Sequence, residues 1–475
     1  MAPDNASPTA SRQRQQRQDG LPVPRRYWSA AAIWLTISMA VLDGTIANVA
    51  LPTIAREIGA SPASSVWVIN AYQLTITVFL LPLAALGDLL GYRRIYLPGV
   101  LLFVLGSAAC ALGHSLVWLI VARMVQGIGA AAIMSMNAAL VRATYPSDQL
   151  GRGIGYNALV LSISAAAGPT IAALVLELGR WPWLFLINIP IGLAAFLIGM
   201  RSLPDGDSHG NPFDWIAGLL SALTLGLIVF GAETTARTGS LGGIVAVVAG
   251  ILAGVFLVRR EWSDPKPLLP LDLLRIPIFA LSICTSIVSF AAQMLAYVSL
   301  PFLFQTTLHR SVLETGLLMT PWPIAVGITA PIAGRLADRM HSGLLGAIGL
   351  AVFATGLFLL SRMGSHPATI DVAWRMAVCG IGFGLFQSPN NRTIVSSAPH
   401  ERSGAAGGML ATARLLGQTG GAVSVAAAFH LAGLGAGPHL LLAASIIAAL
   451  AAAVSLTRLA ATHPDQPRPG QPRTE

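Results

Sequence analysis

The chain has 475 residues, 54% of them hydrophobic and only 10% charged, with a net charge of +9 and a mean hydropathy of +0.69. Soluble domains carry about 25% charged residues, so this composition excludes a soluble globular protein. The basic residues sit in short segments between apolar runs, which excludes a nucleic-acid-binding surface and points to membrane topology instead.

Residues 1–26 are polar, with five arginines and no apolar h-region, and are expected to form a disordered cytoplasmic tail. Apolar runs long enough to cross a bilayer follow near 28–50, 64–86, 95–113, 115–138, 153–176 and 182–200. Two more lie near 213–231 and 241–259. The last six lie near 278–302, 314–333, 343–361, 371–390, 403–428 and 437–457. With the N-terminus inside, 21 basic residues fall in cytoplasmic segments and five on the other side. The positive-inside rule then places both termini in the cytoplasm, and an odd number of spans would scramble the pattern. Cys110, Cys284 and Cys379 all fall inside apolar runs without metal-ligand spacing and read as core residues.

The chain repeats itself. Ala84-Ala85-Leu86-Gly87-Asp88 is echoed 250 residues later by Gly334-Arg335-Leu336-Ala337-Asp338. Arg123-Met124 with Gly127-Ile128-Gly129 is echoed by Arg375-Met376 with Gly380-Ile381-Gly382, with one extra residue in the gap. Two six-helix halves in the same orientation are implied, over 27–201 and 263–460, with 202–262 a loop and two-helix insert and 461–475 a second tail. Parallel repeats of this kind place a cargo site at mid-membrane between the halves.

Asp43 lies within the first apolar run, where a carboxylate costs roughly 2.5–3.5 kcal/mol on insertion scales. A carboxylate held away from water is suited to taking up and releasing a proton. Its position in the second half falls on Ala292 or Gln293, both uncharged, so any proton coupling is expected in the N-terminal half alone. Arg123, in the fourth run, stays charged when buried and needs a partner; Asp43 is the nearest acid of membrane depth. The sequence has no second acid of that depth.

Several segments resemble a known family. Gly87-Asp88-Leu89-Leu90-Gly91-Tyr92-Arg93-Arg94 resembles the hallmark loop of the major facilitator superfamily, with Ala84 and Leu89 departing from it. The second copy, through Gly334, Asp338 and Arg339, has His341 where a glycine would follow. Arg123 to Gly127 resembles the superfamily's fourth-helix motif. Gly168-Pro169 resembles the end of its fifth-helix antiport motif, with Ser164, Ala172 and Ala173 in place of glycines. Leu42-Asp43-Gly44-Thr45-Ile46-Ala47-Asn48-Val49-Ala50-Leu51-Pro52 is similar to the first-helix signature of the fourteen-span drug:proton antiporters (EmrB/QacA type). Trp67, Ala71-Tyr72 and Arg414-Leu415-Leu416-Gly417 fit the same pattern.

The resemblance implies an all-α polytopic fold of two six-helix bundles with a two-helix insert. It implies proton-coupled export of amphipathic organic compounds across a bacterial inner membrane, by a monomer with small-molecule cargo, protons and the lipid bilayer as partners. Asp43 and Arg123 would couple protons, and the loops at Asp88, Arg93, Arg94, Gly334, Asp338 and Arg339 would gate. Gly168 and Pro169 would serve helix packing. Polar or aromatic residues on the expected cavity helices, Asn48, Trp67, Tyr72, Gln126, Asn157, Gln293 and Tyr297, are candidates for cargo contact. The alternative is a carrier for one metabolite or vitamin, such as riboflavin-like uptake. No catalytic constellation, Walker-type loop, cofactor motif or metal spacing is present in the sequence, so an enzyme or ATP-driven pump is not expected.

Overall fold

A computed structural model describes residues 20–458 apart from 147–148, 205–214, 239, 262–270, 338, 365 and 399–402. Its long helices are numbered here in chain order. They are α1 (Arg25–Glu57), α2 (Trp67–Leu90), α3 (Tyr92–Ala111), α4 (Leu116–Thr144), α5 (Leu150–Leu178) and α6 (Asn188–Ser202). Next come α7 (Trp215–Thr238) and α8 (Leu241–Glu261). The remainder are α9 (Pro277–Phe302), α10 (Pro321–Leu336), α11 (Ser342–Ser361), α12 (Thr369–Ser397), α13 (Ser403–Ala432) and α14 (Gly437–Thr457). Among the described residues there is no strand. Thirteen segments are long and apolar enough to span a bilayer, and α7 adds a shorter apolar stretch, Ile216–Ala232. Helices are what lipid demands, since every backbone N–H and C=O must be satisfied within the segment.

Two segments depart from expectation. In the tenth span, Val312–Met319 runs on into α10 through Thr320, which keeps helical dihedrals (φ −65°, ψ −35°), and only the hydrogen bonding is interrupted, at Pro321. Proline has no N–H to give, so it suits a helix start. The stretch 20–26, expected as part of the tail, is folded. Leu21 N donates to the Thr144 carbonyl at 3.0 Å, and Arg26 Nη1 donates to Gln149 Oε1 at 2.9 Å. Burial of Leu21 and these bonds offset the entropy of ordering it.

The halves repeat in space. α1 packs on α4, α5 and α6, α2 packs on α4, and α3 packs on α4 and α6. In the same way α9 packs on α12, α13 and α14, α10 on α12, and α11 on α12 and α14. The glycines carry this repeat. Gly129 lies against Phe103 and the Gly99 carbonyl, and Gly382 lies against Phe353 and the Gly349 carbonyl. Gly127 meets the Tyr72 carbonyl and Thr75, while Gly380 meets the Trp322 carbonyl and Ala325. A side chain at any of these would separate two helices. The insert helices α7 and α8 pair with each other, and α7 rests on α2 and α13, across the line where the halves meet. Leu241, Val245, Val248, Leu252 and Phe256 of α8 are exposed at helical spacing, a stripe suited to lipid.

The apolar core is not divided evenly. On the side away from Arg25 and Arg458, one continuous core joins both halves, including Val49, Leu51 and Ile54 with Phe302, Phe304 and Leu318. On the side of Arg25 and Arg458, called here the terminal side, each half keeps its own core, apart from Leu415, which joins that of the N-terminal half. The molecule is therefore closed at one end and parted at the other.

Candidate functional site

Asp43 and Arg123 form an ion pair inside the N-terminal half, with residue exposures of 2% and 0%. Helices from five parts of the chain build it. Asp43 Oδ2 accepts from Arg123 Nη1, and Asp43 Oδ1 accepts from Gln126 Nε2 at 2.9 Å and from Asn188 Nδ2 at 2.9 Å. Arg123 Nε donates to the Val68 carbonyl at 3.0 Å, and Nη1 also donates to Gln126 Oε1 at 2.6 Å. Ser107 Oγ accepts from Gln126 Nε2 at 2.8 Å. The guanidinium lies 4.0 Å from the centre of the Tyr72 ring. A buried charge pair is tolerated when geometry is good and its remaining hydrogen-bonding capacity is filled. Here α1, α2, α3, α4 and α6 all contribute.

A cavity of about 590 Å³ lies between the halves. That volume falls in the range of small-molecule sites. Asn48, Tyr72 and Gln73 line it from the N-terminal half, and Phe290, Gln293, Tyr297, Trp322, Gln387 and Arg414 from the other. Trp322 stands edge-on to Tyr297, with ring centres 5.0 Å apart. Tyr72 is the partition: its ring lines the cavity and also covers Arg123, while its hydroxyl donates to the Ala40 carbonyl at 3.2 Å. Asp43 itself is not a lining residue; its neighbour Gly44 is.

The closed end is held by contacts between the halves. After α9 a wide helical turn over Leu303–Thr307 aims Gln305 at α1, and its Nε2 donates to the Val49 carbonyl at 3.0 Å. Thr170 and Thr320 share a hydrogen bond of 2.7 Å. Gly168 sits so close to Thr45 of α1 that a Cβ there would overlap it, and the Pro169 carbonyl abuts Gly316 of the other half. The Gly168-Pro169 pair thus lies where α5 meets both α1 and the C-terminal half.

At the terminal end, Gly91 turns the chain from α2 to α3 at φ +97°, a conformation that favours glycine. Arg93 Nη2 donates to the Met200 carbonyl, and Arg94 Nη1 reaches the Leu90 carbonyl at 3.5 Å. Asp88 lies in α2, but its side chain is outside the described residues, as is the whole of Asp338. Gly334 lies near Ser388, and Arg339 is exposed. His341 replaces the turning glycine by a different device: it has φ −63° and caps α11, its Nδ1 accepting from Gly343 N at 3.3 Å.

The Major Facilitator Superfamily model matches residues 33–422. The chain belongs to the major facilitator superfamily. It is a transporter and not an enzyme. Over 445 residues, covering 93% of this chain and 97% of the other, it is 54% identical to the uncharacterized transporter YebQ of Escherichia coli (strain K12). It is 32% identical over 391 residues to the riboflavin transporter RibZ of Clostridioides difficile (strain 630), covering 81% and 84% of the two chains. It is 33% identical over 393 residues to the multidrug resistance protein Stp of Mycobacterium tuberculosis, covering 82% and 73%.

Within this superfamily fold, the candidate cargo residues divide. Asn48, Tyr72, Gln293 and Tyr297 line the cavity; Trp67, Gln126 and Asn157 do not. Gln126 instead belongs to the Asp43 network, because it lies one turn beyond Arg123 on the same face of α4. Arg375, the sequence echo of Arg123, pairs with Asp371 at 2.8 Å near the start of α12. The extra residue in its segment shifts the helical face, and Met376 occupies the buried position instead. Sequence reasoning missed Ser107, Asn188 and the cavity position of Arg414. Asn188 had a signal: it is a lone amide in the apolar run Leu184-Phe185-Leu186-Ile187-Asn188-Ile189. Ser107, a small hydroxyl in a helix, had none.

Proposed function

We propose that this chain is a proton-coupled exporter of amphipathic organic compounds, of the fourteen-span drug:proton antiporter type, in a bacterial inner membrane with both termini in the cytoplasm. The observation that carries the reading is the buried Asp43–Arg123 pair beside the cavity, with Tyr72 lining the cavity and laying its ring on the Arg123 guanidinium. In this reading the terminal side is cytoplasmic, and the parted cores correspond to an inward-facing carrier. Asp43 is then deprotonated and held by Arg123, Gln126 and Asn188, with the cavity ready to load from inside.

Cargo against Tyr72 and movement of α1 past α4 loosen the pair. Asp43 then takes a proton from outside, and its return inside resets the carrier. Each charge moving inward supplies about 2.3 kcal/mol per 100 mV of membrane potential. The bundles 27–201 and 263–460 rock about the cavity, with 202–262 bridging them. The loops at Asp88, Arg93 and Arg94 and at Gly334, Asp338 and Arg339 meet when the cytoplasmic end closes. Similarity to Stp supports export. Similarity to RibZ, with the altered fifth-helix motif, supports the second reading, a carrier for one metabolite.

Asp43→Asn tests the coupling. The amide keeps the shape of a protonated acid, so cargo exchange down its own gradient should persist in proteoliposomes, while acceleration by a pH gradient should vanish. Proton-driven flux at the wild-type rate in that variant would overturn the mechanism. Everted vesicles separate the two readings, because an exporter loads them when the lumen is acidified and a proton-symporting uptake carrier empties them.

A further inference from the structure

Two arginines, the buried Arg123 and the part-buried Arg414, face the middle of this molecule, and they are provided for very differently. Arg123 has a carboxylate, a carbonyl, an amide oxygen and an aromatic ring around it. Arg414, mid-way along α13, lines the cavity and has among the described residues a single contact, the face of Phe290 at 5.6 Å from its guanidinium carbon. The placement is built. Gly417 and Gly421 let α13 press onto the Ile287 and Ala291 carbonyls of α9, which brings Phe290 beside Arg414. One turn on, Gln418 accepts from Gln73 of α2 at 3.3 Å, so Arg414 sits at the level where the halves meet.

The remaining lining carries no opposite charge. Its described polar groups are hydroxyls, the Trp322 indole N–H and the amides Asn48, Gln73, Gln293, Gln387, Asn391 and Gln418, with no carboxylate, lysine or histidine. The aromatic faces of Tyr72, Tyr297 and Trp322 are the other prominent feature.

We infer that the cavity selects planar aromatic anions, with Arg414 holding the cargo's carboxylate or other acidic group and the aromatic residues holding its ring. This rests on the reading of the cavity as the cargo site. Water can solvate Arg414 while the cavity is parted. When the halves close, the guanidinium loses that water, and a desolvated charge with no counter-charge is costly. An anionic cargo supplies the counter-charge through charge-assisted hydrogen bonds that suit a guanidinium. A cationic cargo meets a like charge in the same confined space, and no wall carboxylate offsets it. Closure, and therefore transport, is then conditional on the sign of the cargo.

The test uses the full chain in proteoliposomes and two probes on one skeleton, anthracene-9-carboxylate and 9-(aminomethyl)anthracene. Wild type should bind the carboxylate at least roughly tenfold more tightly, a difference of about 1.4 kcal/mol or more. Arg414→Gln should weaken carboxylate binding by about tenfold or more and leave the ammonium probe unchanged or bound better. Arg414→Lys should recover part of the loss. Equal binding of the two probes by wild type, preference for the ammonium, or an equal loss of both in Arg414→Gln would overturn the inference. A charge preference without proton-driven flux would sink the export reading and leave this one standing. Proton-driven flux without a charge preference would do the reverse.

Discussion

The two halves share a backbone plan and differ at their centres. Gly99, Gly127 and Gly129 bring α2, α3 and α4 together in the first half, and Gly349, Gly380 and Gly382 do so for α10, α11 and α12 in the second. Where the first half then places Tyr72, Arg123 and Gln126, the second places Trp322, Met376 and Cys379. The correspondence follows from the contacts. Gly106 meets Gln126 as Gly356 meets Cys379, and Gly127 meets Tyr72 as Gly380 meets Trp322. The second centre is a chain of edge-on rings, Tyr297, Trp322, Phe353 and Phe383, with centres 5.0 to 5.4 Å apart. One centre thus holds a buried ion pair, and the other is a stack of packed rings. In the proposed mechanism, the first bundle is the one that responds to protonation.

Three sets of substitutions bear on that contrast. The largest effect belongs to Arg123→Leu, which strands Asp43 and its donors in a buried site and should cost about 3–5 kcal/mol. Its counterpart Met376→Leu is a volume-conserving swap and should cost less than about 1.5 kcal/mol. Thermal unfolding of the purified variants reads both, and equal losses would erase the difference between the centres. Next come Gly129→Ala and Gly382→Ala. Each inserts a methyl group between helix backbones and should cost about 1–3 kcal/mol. Because the contacts are the same, the two losses should match. A tolerated change in one half would mean that the repeat has diverged in packing as well as chemistry. The smallest effect is expected from Gln305→Leu, which removes one bond across the closed end, worth about 1 kcal/mol. It should raise the accessibility of Val49→Cys to thiol reagents from the non-terminal side a few-fold, without changing binding to the cavity.

Much of the fold could be read locally. Whether a segment crosses a bilayer depends on the hydropathy of about 20 consecutive residues, and its orientation on the charges next to it. The apolar helices therefore emerged in chain order, including α7, whose apolar stretch is short. The interruption in hydrogen bonding after Thr320 was also written in the chain, as Pro321, which has no N–H to give. At the site, Asp43 and Arg123 stood out because a charge in an apolar run is conspicuous wherever it lies. Trp67, Gln126 and Asn157 went astray as cavity candidates because an amide or indole in a helix faces a cavity, a neighbouring helix or lipid according to rotations of a few tens of degrees.

The chain alone thus determines that it crosses the membrane many times as helices, that its halves are related, and that one acid and one arginine of membrane depth belong together. Each of these is encoded within a window of a few turns or as a charge without an alternative partner. Packing alone decides that Asn188 and Ser107 complete the Asp43 network, that Tyr72 separates it from the cavity, and that Arg414 faces that cavity without an acid. It also decides that the halves share one core at one end and keep two at the other. Those facts depend on residues hundreds of positions apart meeting at helix faces, and no local window contains both partners.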